Sequence, residues 1–145
     1  MFVVDTNILV YAAAPATREH VAARAALERW RSGVEPFYVT WPILYEFLRV
    51  VTHRTFSERP ATIVEGWGFL EPLLDTPSLG VLAETERHGA ILEELIRDYP
   101  AIAGNALHDF HTAVMMKEHG ISEIRTADTD FHQFRFLRVV NPLVG

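Results

Sequence analysis

Four acids of the chain sit where a charged side chain is disfavoured. Asp5 interrupts the apolar opening FVVDTNILVY, Glu46 lies inside ILYEFLRVV, Asp109 lies inside NALHDFHTAVMM, and Asp128 follows EIRTA. An ionised carboxylate within or beside such a run carries a free-energy penalty unless it is paired, hydrogen-bonded or bound to a metal. Each also has an ordinary reading. Asp5 can cap a helix, Glu46 can pair with Arg49 three residues on, Asp109 can face solvent, and Asp128 can form a turn. If the fold gathers all four, their chemistry is that of a site that holds cations.

The elements that must position them follow from local pattern. The run Phe2–Val4 is apolar and β-branched, as a strand buried on both faces reads, and a helix follows through NILVYAA. Residues 17–30 are Ala- and Arg-rich with helical spacing, and SGVEP ends them. FYVT is a second strand, and WPILYEFLRVVTH is a helix with Pro42 tolerated near its start. After the polar stretch RTFSERP, ATIVEGWGFLEPLL predicts a helix weakened by Gly66 and Gly68 and broken or kinked near Pro72. LGVLA is a third strand, and ETERHGAILEELIRDY is a helix with acids in its first turn. PAIAG is a loop, and NALHDFHTAVMMKEHG is a helix closed by Gly120. EIRTA is a strand, DTDF a turn and RVV a last short strand.

Strands alternating with helices predict an α/β fold with a parallel sheet. Sites in such sheets form at the carboxyl ends of strands, where Asp5 and Asp128 both fall. On the helices, Asn105 and Asp109 share a face one turn apart, and Glu46 shares one with Ile43 and Val50.

Composition narrows the class of function. At 145 residues the chain suits one domain, spanning 1–145, and no internal repeat or linker divides it. It has no cysteine, which excludes disulfides, thiolate metal sites and a Cys nucleophile. No stretch approaches the roughly 18 to 20 apolar residues of a membrane span. The apolar opening lacks a basic start and is broken at Asp5, unlike a signal peptide, so a cytoplasmic location is expected. A net charge of −6 is unlike the basic footprint of a general nucleic-acid binder. Its cations are clustered, however: Arg18, Arg24, Arg29 and Arg31 in one helix, and Arg49, His53, Arg54 and Arg59 after Glu46. The first cluster reads as a solvated helix face; Arg49 and Arg54 in the second are candidate phosphate contacts.

In length, element order and motif order the chain resembles the PIN-domain ribonucleases, most closely the small toxins of VapBC toxin–antitoxin pairs. VVDTNILVY resembles the first motif of that family and carries Asp5, Thr6 and Asn7; LYEFLRV resembles the second and carries Glu46. GNALHDFHTA is similar to the third, with Asn105 and Asp109, and TADTDF to the fourth, with Thr126, Asp128 and Asp130. The chain departs from the family at Phe110, where a small residue is usual, and in having His108 and His111 beside the third acid.

The resemblance implies a three-layer α/β/α sandwich around a mostly parallel sheet. It also implies hydrolysis of RNA phosphodiesters at Asp5, Glu46, Asp109 and Asp128, with Asp130 as a further ligand or turn residue. Oxygen-only donors without Cys suit Mg²⁺ or Mn²⁺. Thr6, Asn7, Asn105 and Thr126 would orient the acids or meet phosphate. Such toxins form homodimers and are restrained by a cognate antitoxin. Apolar surface on the early helices or around VEGWGFLEPLL would receive these partners, while most of Trp30, Trp41, Phe47, Trp67 and Phe69 is expected in the core.

Three other readings compete. PIN nucleases also act in RNA processing, outside toxin–antitoxin pairs; the short chain favours a toxin. A non-catalytic binding module would have no use for the acid set. An HD-type phosphohydrolase would use His108 and Asp109 with His53, His111 and His132, but those enzymes are helical throughout, and strands are predicted here at both ends.

Overall fold

The structure, a computed structural model, describes residues 1–144. Five strands form its sheet: β1 (Phe2–Val4), β2 (Phe37–Thr40), β3 (Leu79–Leu82), β4 (Glu123–Arg125) and β5 (Arg138–Val140). Six helices flank it: α1 (Thr6–Ala13), α2 (His20–Ser32), α3 (Trp41–Thr52), α4 (Ile63–Leu74), α5 (His88–Asp98) and α6 (Ala106–Glu118). A 3-10 turn covers Asp130–Gln133. The strand order is β3-β2-β1-β4-β5 and every pairing is parallel, with Val3 opposite Tyr38 on one side and Ile124 on the other. The sheet is thus parallel throughout, as the alternation of elements predicts.

β1 is the central strand, and its Phe2, Val3 and Val4 are fully buried. An apolar run of β-branched residues suits a strand covered on both faces. The Phe2 ring stacks on Phe37 and meets the edge of Trp30, joining β1, β2 and α2 in the core. The chain winds outward from β1 to β2 and β3, then returns to place β4 and β5 on the other side. The winding therefore reverses between β1 and β4, and a crevice opens there at the carboxyl ends of the strands. Among the described residues, no helix is long and apolar enough to cross a membrane.

Several boundaries differ from those predicted. α2 begins at His20 rather than at residue 17, the preceding residues forming turns. α5 begins at His88, so Glu84 and Glu86 precede the helix instead of lying in its first turn. The loop before it is held to α6, Thr85 N–H donating to the Glu118 carboxylate. β4 ends at Arg125; Thr126 follows it with its side chain buried against Asp5, while its N–H still donates to Val140 O (2.9 Å). Residues expected only as a turn enter the 3-10 helix at Asp130.

α4 runs unbroken through Pro72 to Leu74. Pro72 stands in the last turn, where one lost hydrogen bond interrupts little. A capping box secures the other end, Thr62 Oγ1 accepting from Glu65 N–H and Glu65 Oε1 from Thr62 N–H (3.1 Å each). Gly66 allows α4 to approach α3, since a Cβ there would lie 3.0 Å from Leu48 Cδ2. Of the aromatics assigned to the core, Trp30 and Phe47 are buried and Phe69 stacks on Phe47, whereas Trp41 and Trp67 are exposed.

Candidate active site

The crevice at the switch point is a cleft of about 780 Å³. Asp5 enters it from the end of β1, where its N–H extends the sheet by donating to Arg125 O (3.0 Å). The side chain is 8% exposed and fully engaged: Oδ1 accepts from Thr6 N–H (2.8 Å), and Oδ2 from Asn7 Nδ2 (2.9 Å) and Thr126 Oγ1 (2.7 Å). Asp5 is therefore the N-cap of α1 as well as a cleft carboxylate.

Thr126 and Asn7 fix its position. Thr126 Oγ1 also accepts from Asn7 Nδ2 (3.1 Å) and from Asp128 N–H (2.9 Å), and Asn7 Oδ1 accepts from Ala127 N–H (3.1 Å). The end of β1 and the turn after β4 are thereby joined by side chains, beyond the last backbone bond from Asp5 N–H to Arg125 O. Asp130 N–H in turn donates to Asp128 Oδ1 (2.9 Å), which sets both aspartates on one turn.

α3 supplies Glu46. Thr40 ends β2 and caps this helix, its Oγ1 accepting from Ile43 N–H (3.2 Å), and Thr6 Oγ1 donates to Ile43 O (3.3 Å). Glu46 lines the cleft and is held by Arg49, whose Nη2 and Nε donate to its two oxygens at 2.6 and 2.9 Å. The pairing with Arg49 and the cleft position thus hold together.

α6 supplies Asp109 after a turn in which Gly104 adopts φ +59°, a left-handed conformation that favours glycine. Asn105, His108, Asp109 and Thr112 line the cleft from one face of this helix. The carboxylates of Asp109, Asp128 and Asp130 each place an oxygen within 4.8 Å of the others.

These surroundings set the charges. Burial, and then the charges of Asp5, Asp128 and Asp130, push the Asp109 carboxyl up to about 7. Burial also raises Asp5, against the hydrogen bonds from Thr126, Thr6 and Asn7 that favour its charged form. The hydrogen bonds from Arg49 hold Glu46 below the usual carboxylate range.

The family model for the PIN domain matches residues 2–137. The chain belongs to the PIN-domain family. Among curated proteins it is 36% identical over 145 residues to a VapC ribonuclease of Mycobacterium bovis and to ribonuclease VapC43 of Mycobacterium tuberculosis, covering 100% of this chain and 97% of each relative. Among solved structures, VapBC2 of Rickettsia felis bound to a promoter DNA fragment has a TM-score of 0.67 at 18% identity, covering 97% of both chains. VapC20 of M. tuberculosis, described as a toxin that cleaves the sarcin–ricin loop, has a TM-score of 0.63 at 15% identity, covering 92% of this chain and 94% of that one. FitAcB of Neisseria gonorrhoeae has a TM-score of 0.61 at 18% identity, covering 98% of both chains.

In this PIN domain the cleft is lined by Asp5, Thr6, Asn7, Glu46, Arg49, Asn105, Asp109, Asp128 and Asp130. Thr126 is fully buried behind Asp5 and works through it, and Arg54, in the turn after α3, does not line the cleft. Sequence reading missed Tyr11, Phe56, His108 and Thr112 as lining residues. Helical spacing carries a signal for three of them: Tyr11 is one turn after Asn7, His108 three residues after Asn105, and Thr112 three after Asp109. Phe56 arrives from a loop and has no such signal.

The donor set fits a divalent cation. The clustered ligand atoms of Asp109, Asp128 and Asp130 are all carboxylate oxygens, and among the described residues no ion pair engages these three acids. Burial first and then the charges of the neighbouring acids raise Asp109, and a bound cation would offset both.

Proposed function

We propose that this PIN domain, comprising residues 1–145, is a metal-dependent endoribonuclease that hydrolyses RNA phosphodiester bonds, and that it is the toxin of a VapBC-type pair. The observation that carries the reading is the carboxylate cluster of Asp109, Asp128 and Asp130 beside buried Asp5 at the switch point of the sheet. Full-length identity of 36% to proteins named VapC ribonucleases supports the choice of RNA and of the toxin class.

Asp5, Glu46, Asp109, Asp128 and Asp130 would hold Mg²⁺ or Mn²⁺, the cations that oxygen-only donors suit. A cation bound there would supply positive charge for the scissile phosphate and acidify a coordinated water. The remaining work belongs to the chain. Asn7 and Thr126 keep the Asp5 carboxylate aimed into the cleft, and Thr6 N–H neutralises part of its charge. Asp109, whose carboxyl is pushed up to about 7 by burial and the neighbouring acids, would be held in its charged form by a cation bound beside it. Arg49, exposed at the cleft rim and paired with Glu46, would meet an RNA phosphate there by exchanging that pair. Arg54 would extend that contact outside the cleft, and Asn105 and His108 face the substrate from α6.

A cognate antitoxin is the expected partner and a homodimer the expected assembly, in the cytoplasm. Trp41 and Tyr45 on α3, with Ile63, Val64 and Trp67 on α4, are exposed and offer apolar surface for these contacts.

The test is cleavage of structured RNA by purified protein in Mg²⁺ or Mn²⁺, against EDTA and the Asp5→Asn and Asp109→Asn variants. Metal-dependent cleavage that drops at least about 10²-fold in each folded variant is expected. Equal cleavage by wild type and both variants, or none by wild type with either metal, would leave a binding module as the better reading.

A further inference from the structure

A second cluster of metal-type side chains lies outside the cleft. Glu84, in the loop between β3 and α5, His88, at the start of α5, and His111, on α6, each offer a ligand atom within 4.8 Å of the others. None of the three lines the acidic cleft. His111 follows Asp109 by two residues, about 200° round the helix, so the two side chains leave α6 in different directions.

Three details distinguish this cluster from a surface ion pair. First, the Nδ1 of His88 is bonded to Oε1 of Glu118 at 2.5 Å, and the Glu118 side chain is fully buried. A carboxylate bound to one ring nitrogen fixes the ring and leaves Nε2 as a basic, oriented donor, the arrangement that backs metal-bound histidines. Secondly, Nε2 of His111 lies 3.3 Å from Oε1 of Glu84, the edge length of a tetrahedron with bonds of about 2.0 Å. Thirdly, Nδ1 of His111 is buried without a hydrogen-bond partner, so the hydrogen bonding of this ring is incomplete as it stands. The frame is also firm: Arg87 donates to Glu118 O, and His119 Nε2 meets Ala83 O (2.7 Å), so the loop is tied to the end of α6 on both sides of the cluster.

We infer that Glu84, His88 and His111 form a second cation site, for a transition metal of the Zn²⁺ class, distinct from the carboxylate site in the cleft. Two imidazoles and one carboxylate suit Zn²⁺ and its neighbours, whereas Mg²⁺ prefers oxygen donors. Three protein ligands leave a position for water. Glu84 and both histidines are partly exposed, at 54%, 23% and 27% of their side chains, so an ion has access. A cation there clamps the β3–α5 loop to α6, the helix that carries Asp109. The inference does not depend on what the acidic cleft does.

Co²⁺ is the probe, because its visible bands are far stronger at a four- or five-coordinate site than in the octahedral oxygen ligation expected of a carboxylate cleft or of water. The full chain carrying Asp109→Asn, Asp128→Asn and Asp130→Asn removes the cleft cluster. It is expected to bind one equivalent of Co²⁺ with ligand-field bands that Zn²⁺ bleaches. Adding Glu84→Gln, an exposed loop substitution that spares the fold, should weaken binding at least about tenfold, and adding His111→Gln should abolish the bands. If the triple variant does not fold, wild-type protein saturated with Mg²⁺ and titrated with Co²⁺ gives the same reading. Absence of visible bands in folded protein, or bands that survive Glu84→Gln and His111→Gln together, would overturn the second site.

Discussion

Without a cation, Asp109 titrates near neutrality, because burial and three neighbouring aspartates oppose its charge. Its pKa of about 7 lies above the ordinary 3.8, so between those values the folded chain keeps a proton that the unfolded chain has lost. Stability then falls as pH rises from about 4 to 7 and levels off above that. Asp109→Asn removes the effect. In EDTA at pH 8 the variant should be more stable than wild type, on the order of 1–2 kcal/mol once the shift is discounted for water in the cleft. The gap should close by pH 4. Thermal melting across that pH range checks it, and coincident curves at every pH would mean that the acids do not strain the fold. Loss of activity together with gain of stability is the expected signature of residues held for function rather than for folding.

At the scale of elements, the site depends on where short strands stop. β1 and β4 have three residues each; Asp5 follows the first and turns its side chain into the cleft, and Thr126 follows the second and meets Asp5 from behind. The far edge of the sheet sets the packing from the other side. Gly80 in β3 pairs with Tyr38 in β2, and a Cβ at Gly80 would lie 2.8 Å from the Tyr38 ring. Gly80→Ala should therefore cost about 1 to 3 kcal/mol as the ring is displaced. In the Tyr38→Ala background the same substitution should cost much less, and urea unfolding of the four proteins forms the cycle that separates ring contact from strand propensity. Equal costs in both backgrounds would assign the effect to the backbone of β3 alone.

For the whole molecule, the prediction concerns linkage between the cleft and global stability. A cation that binds only the folded chain adds about 2.7 kcal/mol at a hundredfold excess over its Kd. Millimolar Mg²⁺ or Mn²⁺ should raise the melting temperature of wild type in a concentration-dependent manner. The response should be much smaller in Asp5→Asn, which keeps the apolar core of β1 and loses one carboxylate. A wild type insensitive to both metals would show that the acid cluster is not a working cation site. The net charge of −6 bears on the same point, since concentrating acids at one crevice is compatible with a phosphate substrate only when cations share the site.

The sequence by itself determined the order and type of the elements and the acids worth following. A β-branched run ending in Asp5, helices with one apolar face and acids at special positions are local patterns, and local patterns survive in one dimension. The break expected at Pro72 did not occur, because the capping box and packing against Leu48 outweigh one lost hydrogen bond in a last turn. Acids expected in the first turn of α5 lie before it, because the loop bonds to Glu118 from a distant helix. Only the tertiary structure decided that Asp130 joins Asp109 and Asp128, that Arg54 stays outside the cleft, and that Thr126 acts from behind Asp5. The same is true of the meeting of Glu84 and His88 with His111. The physical reason is distance along the chain: Asp5 and Thr126 are 121 residues apart, and no periodicity spans that separation, whereas the parallel pairing of β1 with β4 brings them to a single hydrogen bond.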